Sequence, residues 1–189
     1  LHKAFDEATA ILAGDALISL AFEILADEAT HKTVTTRLDL VAGLARASGM
    51  QGMVGGQMID MMAARDTLDA GGLMRLQKMK TGALISFAVD AGAILGCAKA
   101  SERNALSGFA HDIGLAYQIA DDVLDIEGDA DILGKSVGKD DAQDKSTFVS
   151  LLGVERAREQ ALQLSHQAVS YLDAFGAVSY THLTLPTRS

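Results

Sequence analysis

The stretch that most constrains this chain is residues 117–125, which places three aspartates within five residues of an otherwise apolar, helix-patterned run. Asp121 and Asp125 share one face of a helix, and Asp122 lies one turn before Asp125. The three negative charges repel one another, so a helix that keeps them on an apolar background favours a bound cation. Clustered carboxylates suit Mg²⁺, which proteins bind through one or two carboxylates together with substrate phosphates. The segment therefore predicts a diphosphate substrate bridged by magnesium.

Length and composition predict an all-α fold. The 189 residues suffice for one domain with a buried core, and 49% of them are hydrophobic. The chain has one proline and no tryptophan. Alanine, leucine, methionine, glutamine and glutamate are plentiful, and all are good helix formers.

The same numbers argue against several other classes of protein. The net charge is −9 and no run of lysine and arginine stands out, so we predict no nucleic-acid partner. Cys97 is the only cysteine, which excludes an intrachain disulfide and a cysteine-based zinc site and fits a cytoplasmic setting. No apolar run reaches about 18 residues without a charge, so we predict no membrane span.

Apolar residues recur at helical spacing along most of the chain. The predicted helices cover about residues 6–26, 34–47, 50–64, 73–95, 101–126 and 154–175. Residues 66–72 are predicted to form a loop, and Ser101 is predicted to cap the fifth helix. Lys80-Thr81-Gly82 is predicted to kink the fourth helix, because glycine is a poor residue in a helix interior.

Two segments depart from this pattern. Residues 128–145 are rich in glycine, aspartate and lysine and are predicted to form a charged functional loop. Residues 178–189 have no helical period and are predicted to be an atypical tail of non-native origin, which leaves residues 1–177 as one domain. Three glycines in the third helix would let another backbone approach closely, namely Gly52, Gly55 and Gly56.

Several polar groups accompany the aspartates in the same apolar, helical chain. Gln118 lies one turn before Asp121 and could donate its amide to a phosphate or a carboxylate. A lysine in mid-helix, as at position 80, is costly unless it meets an anion. The groups are Gln57 and Asp60, Lys80 and Thr81, Gln118, and the loop lysines Lys135 and Lys145. Together they predict a site that ionises a diphosphate leaving group and shelters a carbocation from water.

Each group taken singly also has a purely structural explanation. An aspartate cluster is often a solvated helix end, and a mid-helix lysine commonly extends its amine to water. Glutamine and aspartate often cap or link helices. The functional interpretation depends on all the groups occurring in one chain, in an order that could line one cavity.

In this order the motifs resemble the trans-isoprenyl diphosphate synthases (the polyprenyl synthetases), and most closely their bacterial farnesyl diphosphate synthase branch. The resemblance covers about residues 2–177 and is specific because the motifs form an ordered set. They are residues 10–17, Gly55-Gly56-Gln57-x-x-Asp60, Lys80-Thr81-Gly82, Gln118-x-x-Asp121-Asp122-x-x-Asp125, Gly134-Lys135, and Lys145-Ser146-Thr147 followed by Leu151-Leu152-Gly153.

The resemblance implies an all-α bundle around a central cavity, normally a homodimer, that condenses isopentenyl diphosphate with an allylic diphosphate using Mg²⁺. Asp121, Asp122 and Asp125 would bind the magnesium that bridges to the allylic diphosphate. Lys80, Lys135 and Lys145 would neutralise that diphosphate as it leaves. Thr81 and Gln118 would flank the cation, Thr81 would also orient diphosphate for proton removal, and Gln57 would line the same pocket.

The chain departs from the family pattern at both ends. The family's first aspartate-rich motif lies just upstream of a segment resembling residues 2–5, and this chain does not contain it. We therefore expect a fragment, with weak or no catalysis on its own. Two alternatives remain open at this point: a class I terpene cyclase, and a non-catalytic subunit of a heteromeric prenyltransferase. The lysines weigh against the first, and the intact aspartates weigh against the second.

Overall fold

The computed structural model describes residues 1–63, 68–127 and 147–175, and these residues contain helices and no strand. The prediction of an all-α chain is therefore confirmed. The helices are α1 (Glu7–Ala26), α2 (Val34–Ser48), α3 (Met53–Ala63), α4 (Ala70–Gln77), α5 (Ala83–Leu95), α6 (Ala100–Glu127), α7 (Phe148–Leu152) and α8 (Val154–Tyr171). A π-helical turn, Lys78–Gly82, joins α4 to α5, and a 3₁₀ turn, Leu172–Phe175, follows α8.

The chain divides into two compact units, Leu1–Ala45 and Arg46–Ser189. Three predictions fall on residues that lie outside the described ranges. These are the domain limit at residue 177, the charged loop at 128–145 and the tail at 178–189. They stay predictions.

In the first unit, α1 begins where the apolar periodicity predicts. Asp6 caps it: one carboxylate oxygen accepts a hydrogen bond from the backbone N–H of Thr9 at 2.7 Å, and the other accepts from the Thr9 hydroxyl. These two bonds lower the pKa of Asp6. None of the α1 residues is buried, and large apolar side chains such as Ile11 and Leu17 are about two-thirds exposed.

Among the described helices, α1 alone is long and apolar enough to cross a membrane, judged by length and composition. A single helix of this kind does not establish a span, because buried core helices and N-terminal signal sequences share the same properties. The predicted absence of a membrane span stays a prediction.

The second unit is built around α6, which packs against α5, α7 and α8. Its buried residues recur every two to four positions and lie on two sides of the helix, as expected for a central helix with neighbours around it. The core joins α6 to α4, α7 and α8 through Leu73, Leu76, Ala116, Ile119, Val123, Phe148, Val149, Ala157 and Leu164. This arrangement fixes the ends of α4 and α6 with respect to each other.

Two predicted helix starts are wrong. The predicted loop at 66–72 ends early, because Asp69 accepts a hydrogen bond from the Gly72 N–H at 2.7 Å and starts α4 at Ala70. Ser101 lies inside α6 and does not cap it. The carboxylate of Glu102 instead accepts from the backbone N–H of Lys99, which is the residue before the helix.

At its end, α5 closes with Gly96 as the cap residue. The next residue, Cys97, has a φ of 53° and an exposed side chain. This is the left-handed conformation in which many helices terminate, a position that glycine usually occupies.

Candidate active site

Four aspartates line a cavity of about 200 Å³ in the second unit. Its residues come from α3, α4, the π-helical turn, α6 and the segments just before α4 and α7. The polar members are Asp60, Gln77, Lys80, Gln118, Asp121, Asp122, Asp125 and Thr147, and the apolar members are Ala63, Leu68 and Leu76. The structure thus brings Lys80, Gln118 and the three predicted aspartates to one place.

The geometry of α6 accounts for the row of polar groups. Ile119 and Val123 are buried in the core, with 1% and 6% of their surface exposed. Gln118, Asp121 and Asp125 follow one another at three- and four-residue intervals, so they lie on a common helix face and line the cavity. Packing of the buried side of α6 therefore sets the direction of its polar side.

Asp122 has a structural partner as well as a place in the cavity wall. Its Oδ2 accepts a hydrogen bond from the backbone N–H of Phe148 at 2.9 Å, across 26 residues of sequence. Burial raises the pKa of Asp122, and the negative charges of Asp121 and Asp125 raise it further, against the lowering effect of the Phe148 N–H. One oxygen of Asp122 therefore positions the start of α7.

The raised pKa leads to a prediction about pH and stability. The folded chain binds the Asp122 proton more tightly than the unfolded chain, so its ionisation removes stability as pH rises above about 4. Asp122→Asn keeps an oxygen acceptor for the Phe148 N–H and carries no charge. We expect this variant to be more stable than wild type at pH 7, and the difference to vanish at low pH. Urea unfolding in EDTA from pH 3.5 to pH 7 measures it, and an equal difference at every pH would contradict it.

Lys80 is positioned by two contacts with α3. A Cβ built on Gly56 would lie 2.3 Å from the Lys80 backbone nitrogen and 2.6 Å from its Cα, so the two backbones touch where only glycine fits. One turn further along α3, Asp60 Oδ2 lies 2.8 Å from Lys80 Nζ. A π-helical turn, Lys78–Gly82, interrupts the helix at the place where a kink is predicted, and such turns are often found at functional sites.

Other predicted site residues are not brought into this cavity. Thr81 is half-buried and Gln57 is exposed, and neither lines it. The predicted place of Gln57 in the same pocket as the aspartates stays a prediction, since its side chain is exposed and is not among the residues that line this cavity. Lys135 and Lys145 lie outside the described residues.

Sequence reasoning grouped Asp60 with the site without giving it a role of its own, and it gave no role to two other residues that line the cavity, Gln77 and Thr147. The available signal was helical spacing. Asp60 follows Gly56 by four residues, and Gln77 precedes Lys80 by three, so each lies one turn from a residue already singled out. No such spacing indicated Thr147. Its side chain caps the start of the short helix α7, and that helix was not predicted from the sequence.

A second, larger cavity of about 580 Å³ lies beside α4, α5 and α6 in the same unit. Its walls are mostly apolar, with Arg75, Lys78 and His111 among the lining residues. Gln77 lines both cavities.

The carboxylate oxygens that line the cavity suit a hard cation, but they do not form a complete coordination sphere. Within residues 1–63, 68–127 and 147–175, no three acidic, histidine or cysteine side chains form a group able to hold a metal ion. A cation bound by one or two of the carboxylates would take its remaining ligands from water or from a bound phosphate. The cavity also offers Lys80 for the charge of such a phosphate.

Comparison with known proteins identifies a single family. A sequence model described as polyprenyl synthetase matches residues 1–173. The farnesyl diphosphate synthase of Geobacillus stearothermophilus is 43% identical over 162 residues, which is 84% of this chain and 54% of that protein. The chain thus spans about half the length of the curated relatives it matches.

Solved structures agree with this match. The apo structure of an FPP/GFPP synthase from Zymomonas mobilis superposes with a TM-score of 0.80 at 50% identity, covering 93% of this chain and 58% of that one. A geranyltransferase from Helicobacter pylori, complexed with magnesium and isoprenyl diphosphate, gives a TM-score of 0.80 at 34% identity, with 93% and 57% covered.

Proposed function

The chain belongs to the polyprenyl synthetase family, as its motifs predict, and we propose that it carries part of a trans-prenyltransferase site. The reaction joins isopentenyl diphosphate to an allylic diphosphate, dimethylallyl or geranyl, to give farnesyl diphosphate or a similar short-chain product. The observation that carries the proposal is the cavity that combines Lys80 and Gln118 with Asp121, Asp122 and Asp125.

The residues of this cavity suit the ionisation of an allylic diphosphate. The bond between the allylic carbon and the diphosphate oxygen breaks, and the diphosphate leaves with the electron pair. Lys80 supplies a positive charge for that oxygen, and Gln118 supplies an amide donor beside it. The allylic cation then accepts the double-bond electrons of isopentenyl diphosphate, which afterwards loses a proton.

Mg²⁺ is the cation we propose for the three aspartates, where it would supply charge neutralisation for the diphosphate. Their oxygen donors fit this ion, and the Helicobacter pylori relative was crystallised with magnesium. Asp122 would contribute the oxygen that Phe148 does not use. The roles of Thr81, Gln57, Lys135 and Lys145 stay predictions from the family resemblance.

The apolar cavity is proposed to hold the prenyl chain. Its largely apolar wall would exclude water from a reactive cation, and Gln77 lines both this cavity and the one that holds the aspartates. The whole protein is proposed to be a cytoplasmic homodimer without a nucleic-acid partner.

The experiment that tests the proposal is calorimetric titration of geranyl diphosphate into the purified chain, with and without Mg²⁺. We expect binding that requires Mg²⁺, together with weak or no turnover when isopentenyl diphosphate is added. Binding that does not need Mg²⁺ would contradict the proposed site for Mg²⁺ and the allylic diphosphate. The absence of binding by a chain that melts cooperatively would contradict it too.

Neither alternative function is favoured by the comparisons, since the curated relatives are synthases. Product analysis separates the first alternative, because a terpene cyclase releases a hydrocarbon free of diphosphate. Co-purification with a second prenyltransferase chain would instead support a non-catalytic subunit.

A further inference from the structure

The side chain of Lys80 is held at both of its ends by one face of α3. At the backbone end, Gly56 leaves room for the Lys80 nitrogen, which would lie 2.3 Å from an added Cβ. At the other end, Asp60 Oδ2 accepts a hydrogen bond from Lys80 Nζ at 2.8 Å. Gly56 and Asp60 are four residues apart and therefore lie on the same side of the helix. The helix α3 thus determines where the ammonium group lies as well as where the π-helical turn passes.

The ion pair between Lys80 and Asp60 belongs to the wall of the cavity that holds the aspartates. Both residues line this cavity, and their side chains are 33% and 22% exposed. Among the described residues that line it, Lys80 is the only cation, and the other three aspartates come from α6. A partly exposed lysine commonly extends its ammonium group to bulk water. The contact with Asp60 instead keeps this positive charge at the cavity.

We propose that Asp60 is a positioning residue that holds the ammonium group of Lys80 ready for the diphosphate of the substrate, an inference that rests on the proposed function. Lysine has a long, flexible side chain, and ordering it only when a ligand binds costs affinity. The ammonium group has three N–H donors and Asp60 Oδ2 accepts from one of them, so the others can donate to phosphate oxygens. Asp60 acts through Lys80 and needs no contact with the substrate.

The test compares Asp60→Asn with Asp60→Ala by calorimetric titration of inorganic pyrophosphate in the presence of Mg²⁺. Both variants remove the negative charge, so the difference between them isolates the oxygen that accepts from Lys80. Asparagine keeps an oxygen acceptor at this place, and alanine does not. Ordering a flexible side chain in advance is worth about two- to tenfold in affinity. We expect Asp60→Asn to bind pyrophosphate more tightly than Asp60→Ala by that factor.

The same two variants in a Lys80→Met background show whether Asp60 acts through the lysine. Methionine keeps an unbranched side chain and removes the ammonium group. The two variants of Asp60 should then bind pyrophosphate with equal affinity, because the effect of one residue disappears when the residue that transmits it is removed. A purely structural role of Asp60 would leave the same difference in both backgrounds, and that result would refute the proposal.

Asp90→Asn and Asp90→Ala are the matched control. Asp90 also accepts a hydrogen bond from a cation, Arg103 at 2.7 Å, but it lines neither cavity. These two variants should bind pyrophosphate equally well. If Asp60→Asn and Asp60→Ala also bind it equally while Lys80→Met weakens binding, the role of Asp60 is refuted and the proposed function stands. If the wild-type chain binds no pyrophosphate in the presence of Mg²⁺, both are refuted.

Discussion

Asp121→Ala is expected to weaken Mg²⁺-dependent binding of geranyl diphosphate by about 100-fold, which corresponds to roughly 2.7 kcal/mol. Asp121 lines the cavity that holds the aspartates and lies in the C-terminal part of α6, one turn after Gln118. Removing it takes away a direct ligand of the cation and one of the charges that attract it. Alanine is the best helix former, so helix content should be retained. Calorimetry measures the loss of binding, and circular dichroism measures the helix content.

The comparison variants separate ligand loss from general effects of charge. Glu159→Ala removes an exposed carboxylate from α8, away from the cavity, and should leave binding unchanged. Asp122→Ala should lose both binding and stability, because Phe148 also loses its hydrogen-bond acceptor. Collapse of the helical signal in Asp121→Ala would mean that Asp121 is structural and that its assigned role is wrong.

Gly56→Ala is expected to lower the free energy of unfolding by about 3 kcal/mol, at the upper end of the usual cost of overpacking. The added Cβ would meet the Lys80 backbone nitrogen at 2.3 Å and its Cα at 2.6 Å. These are backbone atoms that cannot rotate away, so α3 or the π-helical turn has to move. Since that turn carries Lys80, affinity for inorganic pyrophosphate should fall with stability.

The matched control for Gly56→Ala is Gly92→Ala in α5. A Cβ at Gly92 would have no neighbour within 4 Å, so alanine should stabilise the helix by up to about 1 kcal/mol. If the close approach at Gly56 is as tight as described, urea unfolding should show a lower free energy of unfolding for Gly56→Ala and a higher one for Gly92→Ala. Equal stability of the two variants would refute it.

Features that depend on local spacing were predictable from the sequence. Helical periodicity gave the start of α1 next to Asp6, and it placed Gln118 and Asp121 on one face of α6. The small size of Gly56 indicated a close approach of another backbone, and Lys80 is that neighbour. In each case the signal lies at the residue itself or within one or two turns of it, whereas the identity of the neighbour of Gly56 came only from the fold.

Features that depend on pairing across the chain were not predictable in this way. The Asp122 carboxylate meets the Phe148 N–H 26 residues away, and no local pattern encodes that partner. Asp60 and Lys80 are paired across 20 residues by the packing of two helices. Site residues of this kind become visible only when the fold is known.

The exposed thiol at the end of α5 has a practical consequence for determining the oligomeric state. Cys97 is the only cysteine in the chain, so air oxidation can join it only to a thiol outside its own molecule. Light scattering or gel filtration without a reductant would then count covalently linked pairs together with any non-covalent dimer. Repeating the measurement with Cys97→Ser, or in a phosphine reductant, separates the artefact from true association.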